Sequence, residues 1–340
     1  MLILAPMQGL TELMFRRVYH RCFPGAIDMA VSPFLSLTHG NLADACKKID
    51  DVLPDDNSDS LPVIPQILGK EPEEFVALAN RLHEVGYDEV NWNIGCPMRR
   101  VAAKHRGSGI LPYPDEVRQL LDYVVPKLTL KLSVKMRLGL YSKDEIFDLV
   151  PILNQYPLAS VTIHPRTGRQ QYGGQVDLDT FAQVPPLSVH PVVYNGDICT
   201  LADYQRICQR FPSVKDVMIG RGVLFDALLP VRIKEQEGQC FSEVSTTSHF
   251  ILSMLDAILA RPVPEASKIR KIKEYWCLLR RSLPITEQQS MAVLHAETLS
   301  DTLDRIHALL DTHTHQSGQD TTEVRPLADL QKKSSPNNNN

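Results

Sequence analysis

The sequence predicts a (β/α)8 barrel followed by a small bundle of α-helices, and three observations predict it. Eight short apolar runs alternate with helix-length amphipathic stretches over the first two thirds of the chain. Seven of these eight runs end in polar or glycine-rich groups, where parallel barrels keep their chemistry. After about residue 240 the strand-like runs stop and only helical stripes remain.

The first strand is Leu2-Ile3-Leu4-Ala5. Thr11 then stands where a helix N-cap is expected, before a face of Met14, Phe15, Val18, Tyr19 and Cys22 at helical spacing. The next strands are Met29–Val31, Val63–Ile67, Glu89–Asn93 and Leu130–Lys135. Ser160–His164, Val192–Asn195 and Asp216–Ile219 complete the eight. Right-handed βαβ crossovers close such a series into a parallel barrel. Between the second and third strands lies an acidic stretch with Asp44, Asp50, Asp51, Asp55, Asp56 and Asp59, expected to be a short helix and a solvated loop. Beyond residue 240, Phe250, Ile251, Met254, Leu255, Ile258 and Leu259 form one helical stripe. Ile269, Ile272, Trp276, Leu279 and Leu283 form a second, and Leu299, Leu303, Ile306 and Leu310 a third. Helices with single apolar stripes bury them by bundling. The expected division is a barrel over residues 1–238, a helical domain over 239–312 and a disordered polar tail over 313–340.

Composition narrows the class. The 340 residues are 43% hydrophobic and 22% charged, with a formal net charge of −4, so a polyanion would have to meet a local patch. No apolar run reaches the 18 or so residues of a membrane span. Seven scattered cysteines without a C-x-x-C pair predict reduced thiols and a cytoplasmic protein. No metal site is expected.

The strand ends carry the chemistry. Asn91-Trp92-Asn93-Ile94-Gly95-Cys96-Pro97 ends a buried strand with two amides and a thiol, and a turn through Gly95 and Pro97 would hold Cys96 at the barrel mouth. A lone cysteine is otherwise a small core residue. Other tips carry Pro6-Met7-Gln8, Gln66, Lys135, His164 with Arg166, Asn195-Gly196-Asp197 and Gly220-Arg221-Gly222. The last two follow strands seven and eight, whose loops commonly make a phosphate site in this architecture. Lys135 suits either stabilisation of negative charge on a cofactor ring or imine formation. His164, with Arg166 and Tyr172 beyond it, suits the base of a substrate or cofactor loop. Positive charge gathers in two places. Arg99, Arg100, Lys104, His105 and Arg106 crowd the loop after Cys96. Between Arg261 and Arg281 seven Lys/Arg stand against two Glu. A solvated helix face explains the second cluster alone, whereas a polyanion-binding surface explains both.

As a set these motifs resemble the flavin-dependent tRNA-dihydrouridine synthases. The likeness rests on Ala5-Pro6-Met7-Gln8-Gly9, Pro65-Gln66-Ile67-Leu68-Gly69, Asn93-Ile94-Gly95-Cys96-Pro97 and Gly107-Ser108-Gly109-Ile110-Leu111. It continues through Val134-Lys135-Met136-Arg137, His164-Pro165-Arg166-Thr167, Asn195-Gly196-Asp197 and Ile219-Gly220-Arg221-Gly222. The resemblance implies a barrel that holds FMN, a helical RNA-binding domain, NADPH as reductant and tRNA as partner, acting as a monomer. It implies that Pro6, Met7, Gln8 and Gln66 line the flavin, that Lys135 and His164 face it, and that Asn195, Gly196, Asp197, Gly220 and Arg221 hold its phosphate. By the same resemblance Cys96 is the proton donor. Asn93, Arg99, Arg100 and Arg166 would meet the substrate, with Lys268, Arg270, Lys271, Lys273 and Arg280 on the helical domain. The closest type is the bacterial one acting at position 16. The basic loop is expected to lower the Cys96 pKa.

Two departures stand out: Val223-Leu224-Phe225-Asp226-Ala227 replaces a usual Gly-x-Pro-Trp stretch, and the acidic insertion is unusual. Competing readings are an FMN barrel acting on a free small molecule and a non-catalytic RNA-binding protein on the same scaffold.

Overall fold

A computed structural model describes residues 1–36, 49–241 and 244–314. The strands are β1 (Leu2–Leu4), β2 (Met29–Val31), β3 (Val63–Ile64), β4 (Gln66–Ile67), β5 (Glu89–Ile94), β6 (Lys131–Gly139), β7 (Leu158–Thr167), β8 (Val192–Asn195) and β9 (Asp216–Ile219). All pair in parallel in the order β3-β2-β1-β9-β8-β7-β6-β5-β4. Pro65, which has no N–H to give, separates β3 from β4, so the expected third strand is two short pieces. The Pro65 carbonyl still accepts from Asn91 N at 2.8 Å. With the halves joined at Pro65, the eight expected strands form one closed barrel.

Alternation along each strand sorts its side chains. On β5, Val90, Trp92 and Ile94 face the helices, and Trp92 meets Phe75 edge-on at 6.3 Å between ring centroids. Asn91 and Asn93 lie on the opposite, inner face. Ser133, Lys135 and Arg137 do the same on β6, as do Thr162, His164 and Arg166 on β7, by the period of two. Ile3, Ala5, Val31, Val193 and Met218 form an apolar cluster from the other strands. The barrel interior is thus apolar along β1, β2, β8 and β9 and polar along β4 to β7.

The chain divides into two compact units, Met1–Val223 with Leu228–Ser245, and Leu224–Ala227 with Thr246 onward. The helical unit therefore starts at Thr246 and not at 239, and it takes in four residues from the end of the barrel sequence. Its helices are Thr247–Leu259, Glu265–Leu279, Glu287–His295 and Leu299–Thr314. Thr246 and Thr286 cap two of them, accepting from His249 N and Gln289 N. Phe250, Met254, Ile258, Ile272, Trp276 and Ile306, from the stripes expected, fill the interior together with Val293. In place of the Gly-x-Pro-Trp stretch, Leu224 and Phe225 are buried, and the Arg281 guanidinium lies over the Phe225 ring at 4.0 Å. The last helix takes in residues 313 and 314, which the sequence had assigned to the tail, and the tail beyond residue 314 lies outside the described residues.

One local expectation is corrected, and another gains a role. Thr11 is no N-cap; the helix is Leu13–Cys22, and Thr11 folds back to accept from Met7 N at 2.8 Å and donate to the Ala5 carbonyl at 3.1 Å. It ties down the Pro6-Met7-Gln8 turn. The acidic stretch, from residue 49 on, carries the short helix expected, Pro54–Asn57, with Asp50, Asp55, Asp56 and Asp59 exposed, and it also braces the first helix. Arg16, fully buried, reaches Asp51 Oδ2 at 2.9 Å and Asn57 Oδ1 at 3.0 Å, while Arg17 and Arg21 pair with Asp59 at 2.6 and 2.5 Å. Its Asp44 lies outside the described residues.

Candidate active site at the barrel mouth

Cys96 is held from both sides. Its N–H and that of Gly95 both donate to Asn93 Oδ1 at 3.0 Å. Its carbonyl accepts from Ser108 N and from Ser108 Oγ, each at 3.0 Å. Between them sits Gly107, with φ of +56°, where a Cβ would lie 2.7 Å from both the Cβ and the carbonyl oxygen of Cys96. Only glycine lets the returning loop press this closely. The loop carries Arg99 and Arg100, both exposed, and is pinned by His105, stacked on Tyr113 and 3.0 Å from Glu116 Oε1.

Inside this turn runs a chain of buried amides. Asn93 Nδ2 donates to Gln66 Oε1 at 2.7 Å, Gln66 Nε2 to Asn91 Oδ1 at 2.7 Å, and Asn91 Nδ2 to Ser133 Oγ at 3.0 Å. Ser133 was legible only as a strand residue and Asn91 only as one of the two amides near the strand's end; the period of two that makes them neighbours of Gln66 was the available signal.

Next along the sheet stand the cations. Arg137, almost wholly buried, donates to the Gly95 carbonyl at 3.0 Å, to Thr167 O at 2.9 Å and to Gln171 O at 2.6 Å. These acceptors explain why β6 and β7 run beyond the expected Lys135 and His164. Burial, and then the nearby Arg137, pulls the Lys135 ammonium down to about 7. Cys96 moves the other way from expectation. Burial pushes its thiol up, outweighing the lowering effects of the Met98 N–H, Arg137, Lys135 and Arg100. It is therefore a thiol at neutral pH, a proton source and not a nucleophile.

His164 Nδ1 lies 2.7 Å from the Asn195 carbonyl, which fixes the proton on that nitrogen, and Nε2 faces Arg166 at 3.4 Å. Burial, then Arg137, Lys135 and Arg166, holds its pKa well below the usual value, so the ring is neutral. Arg166 is not exposed for substrate, as the sequence had suggested. It is 1% accessible, doubly paired with Asp197, and donates to Gly173 and Gly174 carbonyls at 3.2 and 2.7 Å. Asp197, at a φ of +42°, also accepts from Arg221 at 3.0 Å. Asn195 Nδ2 bonds Met218 O at 2.8 Å, and a Cβ on Gly222 would meet Ile198 O at 2.0 Å, so the tips of β8 and β9 lie together. Tyr172, half exposed, lies between Arg137 at 5.5 Å and Arg221 at 4.9 Å.

The structure thus joins the tip residues of β4 to β9 around one mouth, and Ala5, Met7 and Gly220 meet there too. The five cations of the helical unit serve their own fold first. Lys268 and Lys273 cap the carbonyls of Leu259 and Ala296 at 2.5 and 2.6 Å. Arg280 holds Ser290 Oγ at 2.5 Å, Lys271 pairs with Glu274 at 2.7 Å, and Arg270 meets Ser267 at 3.3 Å.

The profile of dihydrouridine synthases (Dus) matches residues 3–309, nearly the whole described chain. The chain belongs to the dihydrouridine synthase family. Among its relatives, tRNA-dihydrouridine synthase B of Pasteurella multocida is 30% identical over 66% of this chain and 65% of its own length. The tRNA-dihydrouridine(16) synthase of Cupriavidus necator is 30% identical over 68% of this chain and 73% of its own. That of Pseudomonas putida is 27% identical over 83% of this chain and 88% of its own. The match to the Pasteurella relative thus spans just under two thirds of that protein. None of the described helices is long and apolar enough to cross a membrane.

Proposed function

We propose that this protein reduces the C5–C6 double bond of a uridine in tRNA to dihydrouridine, using FMN and NADPH, as a cytoplasmic monomer. The observation that carries the reading is the protonated Cys96 thiol, fixed at the mouth by Asn93 and Ser108 beside Lys135 and Arg137. The family and the names of its relatives support tRNA as substrate. The described cysteines are all free, in keeping with a reducing compartment.

The residues fit a flavin mononucleotide. At the β8–β9 end two cations, Arg166 and Arg221, share one carboxylate, Asp197, leaving an excess of positive charge. The helix Arg221–Phe225 starts there, and the first N–H groups of a helix have no acceptor of their own. Asn195, Gly196, Asp197, Gly220 and Arg221 would hold the phosphate; Pro6, Met7, Gln8, Gln66, Lys135 and His164 would line the ring. FMN, when bound, supplies a hydride for C6 of uracil, renewed by NADPH.

The remaining work belongs to the chain. Cys96 gives its proton to C5, and the Arg137 cation, with Lys135 in its protonated form, favours the charge that builds up on the ring before that transfer. Asn93 orients the base. The tRNA elbow suits such a site because a loop base is unstacked more cheaply than a duplex one. Arg99 and Arg100, exposed beside Cys96, suit its backbone, with Lys268, Arg270, Lys271, Lys273 and Arg280 as further phosphate contacts. Position 16 is favoured by the Pseudomonas match, which extends over 297 residues and so reaches into the helical unit.

The test is the visible spectrum of the purified protein, together with dihydrouridine mapping in tRNA and rRNA from a deletion strain. A yellow protein and loss of dihydrouridine at position 16 are expected. A yellow protein with all RNA unchanged would establish a reductase of small molecules instead, and a colourless one a scaffold without this chemistry.

A further inference from the structure

We infer that Asn91 and Ser133 are positioning residues that lock the cofactor-side amide of Gln66 to the Cys96 turn, so that both sides of the reaction share one hydrogen-bond polarity. The inference rests on the activity proposed above. Backbone N–H groups can only donate, and those of Gly95 and Cys96 converge on the Asn93 side chain. The atom they meet must be its oxygen, and both lone pairs are then engaged. Asn93 Nδ2 must therefore donate, which makes its partner on Gln66 the oxygen. Gln66 Nε2 then donates to Asn91, whose own nitrogen ends on the Ser133 hydroxyl. A hydroxyl can accept or donate, so it closes the chain at either polarity, and here it accepts. Gln66, Asn91, Ser133 and Asn93 are each at most 8% accessible, so water does not compete for these bonds.

Two consequences follow. Asn93 has one uncommitted polar position, the second hydrogen on Nδ2, so it meets a substrate only as a donor. That suits a pyrimidine carbonyl and opposes an exocyclic amino group. Gln66 cannot turn its amide over without unpairing Asn93, and Asn93 cannot move without releasing the Cys96 N–H. A change at Asn91, on the far side of Gln66, should therefore be felt at Cys96.

The test uses the full-length flavoprotein with Asn91→Leu, Asn91→Asp and Ser133→Ala. Three readouts are compared: the flavin absorption spectrum, iodoacetamide alkylation of the Cys96 peptide by mass spectrometry, and kcat and KM on unmodified tRNA. Reading the peptide separates Cys96 from the exposed Cys240 and Cys277. Asn91→Leu removes the acceptor from Gln66 and is expected to shift the flavin spectrum, speed Cys96 alkylation and cut kcat about tenfold with KM little changed, the scale of one buried hydrogen bond. Asn91→Asp keeps an acceptor for Gln66 while Ser133 turns to donate, and it is expected to stay within about twofold of wild type, a margin well inside the worth of such a bond. Ser133→Ala, the gentler change, should fall between them if Asn91→Leu fails to fold. Unchanged alkylation and spectrum in Asn91→Leu or Ser133→Ala, or equal damage in Asn91→Asp, would overturn the inference. Alkylation needs no turnover, so a wild-type enzyme inactive on tRNA would defeat the proposed activity and leave this result standing.

Discussion

Cys96 and Lys135 were each legible in the sequence as polar groups at the ends of buried strands, whereas Arg137 lay beyond the expected strand, and the protonation states of none were legible. A basic loop predicts a lowered thiol pKa, because charge is visible in sequence and burial is not. The structure reverses the sign, since desolvation is the larger effect at Cys96. Cys96→Ala is accordingly expected to keep the flavin and lower turnover by about 10²–10⁴-fold, the usual worth of a general acid, as read by single-turnover dihydrouridine formation. Lys135 yields a stability prediction. Its folded pKa near 7 lies below the ordinary 10.5, so the unfolded chain binds the extra proton between those values. Folding is opposed by that amount below pH 7, and the opposition fades as the pH rises toward 10.5. Lys135→Met should therefore stabilise the flavin-free protein most at and below pH 7, with the gain vanishing near pH 10.5 in paired denaturant titrations. Arg166 shows the limit of reading a charge as a contact. It sits among mouth residues, yet its guanidinium is spent on Asp197 and two loop carbonyls, and on keeping His164 neutral.

Loops and strands set the next level. The loop from Pro97 to Gly107 returns to press on Cys96, a closure that the sequence signalled only as a Gly-Ser-Gly motif. Gly107→Ala adds a Cβ 2.7 Å from Cys96 and strains a left-handed residue, so it is expected to cost about 1–3 kcal/mol of stability and to lower kcat more than KM. Urea unfolding and steady-state kinetics check both. Among the strands, the apolar runs were sufficient to place all eight, and Pro65 was the sole interruption. Their inner faces were not, because period two states which residues share a face and leaves open which face is inside. The acidic insertion is exposed, as its charges predict, but its second role was hidden for a related reason: only the fold brings Arg16, Arg17 and Arg21 to Asp51 and Asp59. Arg16→Met should destabilise the barrel by about 3 kcal/mol in the same urea assay, since it strands the Asp51 and Asn57 partners of a buried cation.

At the scale of the molecule, a net charge of −4 coexists with a basic loop at the barrel mouth. Binding of tRNA through it should weaken steeply with salt. Removing Arg99 and Arg100 together should reduce the slope of log K against log salt by about 1.4, at about 0.7 per contact, and filter binding across a salt series would show it. An unchanged slope would assign the phosphate contacts elsewhere. Hydrophobic periodicity and the order of short motifs determined by themselves the barrel, the helical unit and the family, because these are local properties of the chain. The mouth was decided only by tertiary structure. Burial, the polarity of the Asn93–Gln66–Asn91 chain and the pairing of Arg166 with Asp197 depend on groups that lie far apart in sequence and meet only when the strands close.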